Sequence, residues 1–209
     1  MTRPQQQFLE LLRSGLWGKP ADASVFQGEI DWQSILRIAK EQTVQVLVAN
    51  GIETLPKELW PPKVVIFKLM EVRTKTAKMH LLLNSVLAKI TTALNAEGIP
   101  SVLLKGQGLA QNYLVPESRI CGDIDLYFGN EEQTEKANQR IESVGIPVER
   151  GRDGESNYML NGVLIEHHAH LIDLHYNKKQ LQQWEAQRFQ LGGQTPDAVA
   201  NHLLLSTHI

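Results

Sequence analysis

Gly122-Asp123-Ile124-Asp125-Leu126-Tyr127-Phe128-Gly129-Asn130 reads as a β-strand that halts at a glycine turn, and the rest of the chain can be placed outward from it. Side chains alternate across a strand, so Asp123 and Asp125 share one face while Ile124 and Leu126 pack on the other. Asn130 is a natural N-cap for a following helix whose buried side carries Ala137, Ile141 and Val144. Upstream, Ser101-Val102-Leu103-Leu104 is a short apolar run of strand length, with Ile99-Pro100 before it and Lys105-Gly106-Gln107-Gly108 after it. That order predicts strand, glycine turn and short helix. Downstream, Asn157-Tyr158-Met159-Leu160 and Val163-Leu164-Ile165-Glu166 flank Asn161-Gly162, a strong hairpin signal that puts Glu166 on a strand leaving a tight turn.

Toward the N-terminus the periodicity becomes helical. Phe8, Leu11 and Leu12 form one apolar stripe, and Ile35, Ile38 and Ala39 form another behind the N-cap Asp31. After Pro61-Pro62, apolar or small residues recur at Val65, Leu69, Val72, Thr76, Met79, Leu83, Val86, Ile90 and Leu94. This describes one long amphipathic helix over about 63–97, ended by Gly98 and Ile99-Pro100. The expected organisation is a helical N-terminal subdomain (1–98), a mixed α and β core (99–176) and C-terminal helices (177–209). Those last helices are placed at 178–188 and 196–207. The second runs to the chain end without a stop signal, which leaves truncation of a domain open.

The 209 residues include 21 basic and 23 acidic ones, a formal net charge of -2 that carries no electrostatic footprint for duplex nucleic acid or an anionic membrane. Cys121 is the single cysteine, so no internal disulfide is possible. Neither a signal-peptide pattern nor a membrane-spanning apolar run is visible, and a reducing, cytoplasmic setting is the default expectation.

Strand geometry holds Asp123 and Asp125 about 7 Å apart at their backbones. Like charges so close raise each other's proton affinity, a cost that a divalent cation removes by binding both. Oxygen donors suit magnesium, which takes its remaining ligands from water and substrate phosphates. Solvated aspartates on an edge strand are the plain alternative. The Lys105-Gly106-Gln107-Gly108 turn leads from a buried strand into a helix, and such turns offer backbone N–H groups to phosphate. Lys105 adds a positive charge there. The spacing is neither that of a P-loop nor that of a dinucleotide fingerprint.

These residues together, Leu103-Leu104-Lys105-Gly106, Leu109-Ala110, Tyr113, Arg119 and Gly122-Asp123-Ile124-Asp125-Leu126, resemble an uncharacterised bacterial nucleotidyltransferase family of the polymerase-beta-like superfamily. The resemblance implies an α+β fold: a small mixed sheet with flanking helices, here preceded by the helical subdomain. It also implies a glycine turn that grips a nucleoside triphosphate through Lys105, Gly106 and Gln107, and an Asp-x-Asp strand for two magnesium ions, which manganese can replace. A third carboxylate on a later strand completes that pattern. Gln107 stands where the superfamily usually has a serine, so no hydroxyl contact to phosphate can be assigned there.

Two residues compete for the third carboxylate. Glu166 is favoured, because Gly162-Val163-Leu164-Ile165-Glu166-His167-His168 resembles the family's third-carboxylate segment; Asp173 is the alternative. Arg119 is expected either to reach the phosphates or to lock the loop ahead of the acidic strand. The implied activity is transfer of a nucleoside monophosphate from a nucleoside triphosphate to a hydroxyl of an acceptor that the sequence does not reveal. Two other readings stand beside it: a catalytically degenerate module that binds nucleotide or a partner protein, and a histidine-rich metal hydrolase. In the last, Glu166, His168 and His170 share a strand face as zinc ligands, with His167 and Ala169 pointing away.

Overall fold

The structure is a computed structural model that describes residues 1–151 and 154–170. The described residues form six α-helices and one five-stranded mixed sheet, the α+β architecture expected from the sequence. They fall into two compact units, one of Met1–His80 with Ala110–Cys121, the other of Leu81–Leu109 with the chain from Gly122 onward. Among the described residues no helix is long and apolar enough to cross a membrane. The helices expected over 178–188 and 196–207, and Asp173, lie outside the described residues.

The first unit contains α1 (Arg3–Trp17), α2 (Trp32–Glu41), α3 (Gln45–Glu53) and the start of α4 (Lys63–Ala96). Asp31 caps α2 as its sequence suggests, its Oδ1 accepting from the Ser34 N–H at 2.9 Å. Phe8, Leu11, Phe26, Ile35, Ala39, Val48 and Ile52 form the core. Helices α1 and α3 meet through glycine. A Cβ at Gly15 would lie 1.8 Å from the Leu47 carbonyl oxygen, and one at Gly51 would lie 2.1 Å from that of Leu11. Only hydrogen at both positions allows the two backbones to approach so closely.

The long helix expected after Pro61-Pro62 is present as α4, 34 residues from Lys63 to Ala96. In the second unit it buries Leu83, Val86, Ile90 and Leu94. Gly98, with φ of 69°, ends the helical run and lets the Ile99 N–H return to the Leu94 carbonyl at 2.9 Å. The chain continues into β1 (Val102–Leu104), α5 (Gly106–Ala110), β2 (Asp123–Tyr127), α6 (Glu131–Ser143), β3 (Glu149–Arg150), β4 (Glu155–Leu160) and β5 (Val163–His168).

The sheet order is β1-β2-β5-β4-β3. Only β2 and β5 run parallel; the other neighbours are antiparallel. Helix α6 lies in the connection from β2 toward the hairpin, and Asn130 caps it by accepting from the Gln133 N–H at 2.9 Å. Ala137 and Ile141 are buried on it, but Val144 is 56% exposed, because it is the C-cap and has left the helical stripe. The β4–β5 hairpin turns on Asn161 and Gly162, both at positive φ (53° and 79°), which matches the mirror-image turn whose twist suits paired strands. Strand β3 has only two exposed charged residues and carries no alternation from which it could be read.

The sheet face away from the paired aspartates is closed by Ile124, Leu126, Phe128, Tyr158, Ile165 and His167. His167 sits there in a small polar network. Its Nδ1 lies 2.9 Å from Asn138 Oδ1, and its Nε2 lies 3.2 Å from the Tyr158 hydroxyl. Ser156 Oγ donates to the same Asn138 oxygen at 2.8 Å. Burial and the neighbouring His168 charge push His167 down to about 3, so the ring is neutral. A neutral ring facing an amide oxygen donates from Nδ1 and accepts from Tyr158 at Nε2.

Candidate active site

The parallel pairing of β2 with β5 builds the site. Its register sets Asp125 directly opposite Glu166, and Tyr127 opposite His168. On the far side of β5, Asn157 faces Glu166 and Glu155 faces His168. Residues opposite one another in a sheet share a face, so two adjacent strands deliver Asp125, Glu166 and His168 to one place. Their ligand atoms all lie within 4.8 Å of one another. Among the described residues this is the grouping of carboxylate and imidazole groups suited to a metal ion.

Asp125 is the most enclosed of the three, 3% exposed. Its Oδ1 accepts from His168 Nε2 at 3.1 Å and lies 3.8 Å from Lys105 Nζ. Burial alone would push this carboxyl up. The hydrogen bond from His168 and the charges of Lys105 and His168 outweigh burial and hold it below the usual carboxylate range. His168 responds in the opposite sense: burial disfavours its charge, but its hydrogen bonds to Asp125 and Glu166 raise it to about 9. Its Nε2 is 3.7 Å from Glu166 Oε2, and its Nδ1 is 3.6 Å from Glu155 Oε1.

Asp123, two residues earlier on β2, is half-buried on the same face. Burial, then the charges of Asp125 and Glu166, push its carboxyl above its ordinary value. The strand therefore holds a concentration of negative charge that Lys105 and His168 only partly offset. Two carboxylates and an imidazole at this spacing, with a third carboxylate under repulsion beside them, form a donor set that fits a divalent cation.

The turn after β1 stands at the same end of the strands, since Leu104 pairs with Asp125. Lys105 and Gly106 are both left-handed, with φ of 47° and 38°. Such a backbone is unfavourable for lysine, and it reverses the chain sharply enough to set the ammonium against Asp125. Gln107 is 3% exposed, and neither atom of its side-chain amide has a hydrogen-bond partner. Arg119 belongs to the first unit, where its backbone carbonyl accepts from His80 Nε2 at 2.6 Å. His170 turns toward Glu131, 3.7 Å away, and does not join Glu166 and His168 as the zinc reading expected.

A family model described as Uncharacterised nucleotidyltransferase matches residues 28–209, most of the chain. The chain belongs to this family. The match agrees with the resemblance drawn from the glycine turn and acidic strand, and it brings nucleotidyl transfer as the general activity and a nucleotide as the substrate class. Enzymes of this kind usually employ divalent metals, in keeping with the grouping of Asp125, Glu166 and His168. No curated protein and no solved structure matches the chain.

Glu155 is the residue beside the site that the strand reading did not single out. Alternation placed His168 beside Glu166, but its contact with Asp125 depends on the pairing of β5 with β2, which alternation alone does not supply.

Proposed function

We propose that this protein transfers a nucleoside monophosphate from a nucleoside triphosphate to a hydroxyl group, releasing pyrophosphate, with magnesium or manganese held by Asp123, Asp125 and Glu166. The observation that carries the reading is the β2–β5 register, which sets Asp125 against Glu166 with Asp123 on the same face, in a chain of nucleotidyltransferase family. A bound divalent cation would supply charge neutralisation on the triphosphate and a lowered pKa for the acceptor hydroxyl.

The chain's own residues have separable tasks. Asp125, ionised and enclosed, is the fixed ligand. Asp123 and Glu166 are more accessible, and the role assigned to Glu166 is to receive the acceptor's proton. Lys105, Gly106 and Gln107 bind the phosphates at the turn. Lys105 would then exchange its 3.8 Å ion pair with Asp125 for a phosphate oxygen, keeping its charge beside anions in both states.

The test is incubation of the protein with each labelled nucleoside triphosphate, magnesium or manganese and a panel of hydroxyl-bearing acceptors. Wild type is compared with Asp123→Asn/Asp125→Asn, and pyrophosphate release is followed in both. Turnover is expected in wild type alone; equal turnover in both would remove the assignment of these aspartates. A second reading, nucleotide binding without turnover, is favoured by Gln107, whose buried amide replaces the superfamily's serine hydroxyl. Calorimetry would support it by showing metal-dependent nucleotide binding with no pyrophosphate released under any acceptor.

A further inference from the structure

The three-carboxylate scheme leaves a buried imidazole in the middle of the site without a task. His168 Nε2 is the atom that approaches both Asp125 Oδ1, at 3.1 Å, and Glu166 Oε2, at 3.7 Å. It occupies the position between the two carboxylates that sit opposite one another across β2 and β5. Two ligand atoms about 2.1 Å from a six-coordinate ion and at right angles to each other lie about 3.0 Å apart. The Asp125–His168 separation already has that length, so a cation could replace the shared proton with little movement of either side chain.

The other ring nitrogen is arranged to match. Histidines that ligate metals almost always turn their second nitrogen toward a carboxylate, a carbonyl or water, which fixes the tautomer with the lone pair on the metal side. Here Glu155, opposite His168 in the β4–β5 register, presents Oε1 3.6 Å from Nδ1. With the proton on Nδ1, Nε2 is left free to donate its electron pair toward Asp125 and Glu166. Asp125 on β2 and Glu166 and His168 on β5 thus face the ion's position, and Glu155, opposite His168 on β4, orients the ring.

We propose that His168 is itself a metal ligand, so that the resting centre is Asp125, Glu166 and His168 Nε2, a mixed oxygen and nitrogen site suited to manganese or a later divalent transition metal in preference to magnesium. The proposal rests on the reading of this face as the metal site of a nucleotidyltransferase and changes what that site selects. Carboxylate oxygen alone suits magnesium, whereas imidazole suits the transition metals, whose affinity for a nitrogen-bearing site rises from manganese to cobalt. Asp123, outside the three-residue cluster, is then available to a second ion that arrives with the nucleotide.

The test is electron spin echo spectroscopy of the full chain loaded with one equivalent of manganese and no nucleotide, with binding followed by loss of the free-ion resonance. Nitrogen modulation from a directly bound imidazole is expected in wild type and in His170→Gln, and is expected to vanish in His168→Gln. Growth with 15N-histidine should convert the 14N pattern, which assigns the nitrogen to histidine even if His168→Gln does not fold. Glu155→Gln, at an exposed position, should weaken manganese binding about tenfold. Tight manganese binding without nitrogen modulation would overturn the proposal and leave the carboxylate site intact. Failure of wild type to bind manganese at all would overturn both. Unchanged manganese affinity in Glu155→Gln would also count against the ring as ligand.

Discussion

Replacing Asp125 with asparagine tests the electrostatic core of the site without changing its shape. In the metal-free protein His168 rises to about 9, and the cause opposing its burial is chiefly the hydrogen bond from Nε2 to Asp125, with Glu166 and Glu155 contributing less directly. Raising a histidine from 6.5 to about 9 corresponds to about 3 kcal/mol of folding free energy. The depressed Asp125 carboxyl reflects the same contact seen from the other partner, so it adds no second contribution. The folded-state value lies above the unfolded one. The stabilisation is therefore complete below about pH 6.5 and is lost as pH rises through about 9. At its steepest the loss is about 1.4 kcal/mol per pH step.

In Asp125→Asn the amide oxygen can still accept a hydrogen bond, but the negative charge has gone. His168 keeps only Glu166 and Glu155 as anionic neighbours, and its value should fall by one to two pH steps, with an equal flattening of stability between pH 6.5 and 9. Absolute stability is a poor readout, because the variant also avoids burying a carboxylate. The slope is the informative quantity. Urea denaturation across this interval with a chelator present gives the slope, and carbon–proton correlation spectra of the histidine rings give the titration directly. A wild-type His168 that titrates near 6.5, or one that titrates identically in Asp125→Asn, would refute the reasoning.

Three further outcomes can be checked separately. Gly51→Ala forces a Cβ to within 2.1 Å of the Leu11 carbonyl oxygen, so α1 and α3 must part, at a cost of about 3 kcal/mol read from the denaturation midpoint; an unchanged midpoint would mean that the helices are not in such close contact. Asn138→Ala strands the Nδ1–H of His167 and the Ser156 hydroxyl inside the sheet face, which should cost about 2 to 3 kcal/mol, while Arg150→Ala, despite hydrogen bonds to Glu135 and Glu142, should cost under about 1 kcal/mol because the group is exposed. Lys105→Ala should weaken nucleoside triphosphate binding about tenfold to a hundredfold by calorimetry, with Lys105→Arg retaining part of it; equal affinity in Lys105→Ala would remove the lysine from the phosphate site.

The sequence carries the local features of this fold more fully than the long-range ones, and the site shows why. The caps at Asp31 and Asn130, the stop at Gly98 and the turn at Asn161-Gly162 are each decided by one or two residues whose backbone preferences act alone. The long α4 helix was legible because its apolar repeat persists over many turns. Strand β3 was not, since two exposed residues held by β4 have no pattern of their own. Val144 was misplaced because continuing a helical stripe by one more residue ignores that the C-cap has already turned outward.

The centre of the site depends on a relation that local preference does not contain. Alternation puts Glu166 and His168 on one face of β5 and Asp123 and Asp125 on one face of β2, but it says nothing of which strand lies beside which. Had β4 paired with β2 instead, the same alternation would have left Glu166 and Asp125 a strand apart. The parallel β2–β5 pairing requires a crossover, which runs through α6 and the β3–β4 excursion, and it inserts β5 between β2 and its own hairpin partner. Burying Ile124, Leu126, Ile165 and His167 together on the opposite face favours this register, because a slip of one residue would carry those side chains to the acidic face. The apolar side of the sheet thereby fixes the alignment of the charged side. His167, neutral and tied to Asn138, helps to position the neighbouring His168 that completes the cluster with Asp125 and Glu166.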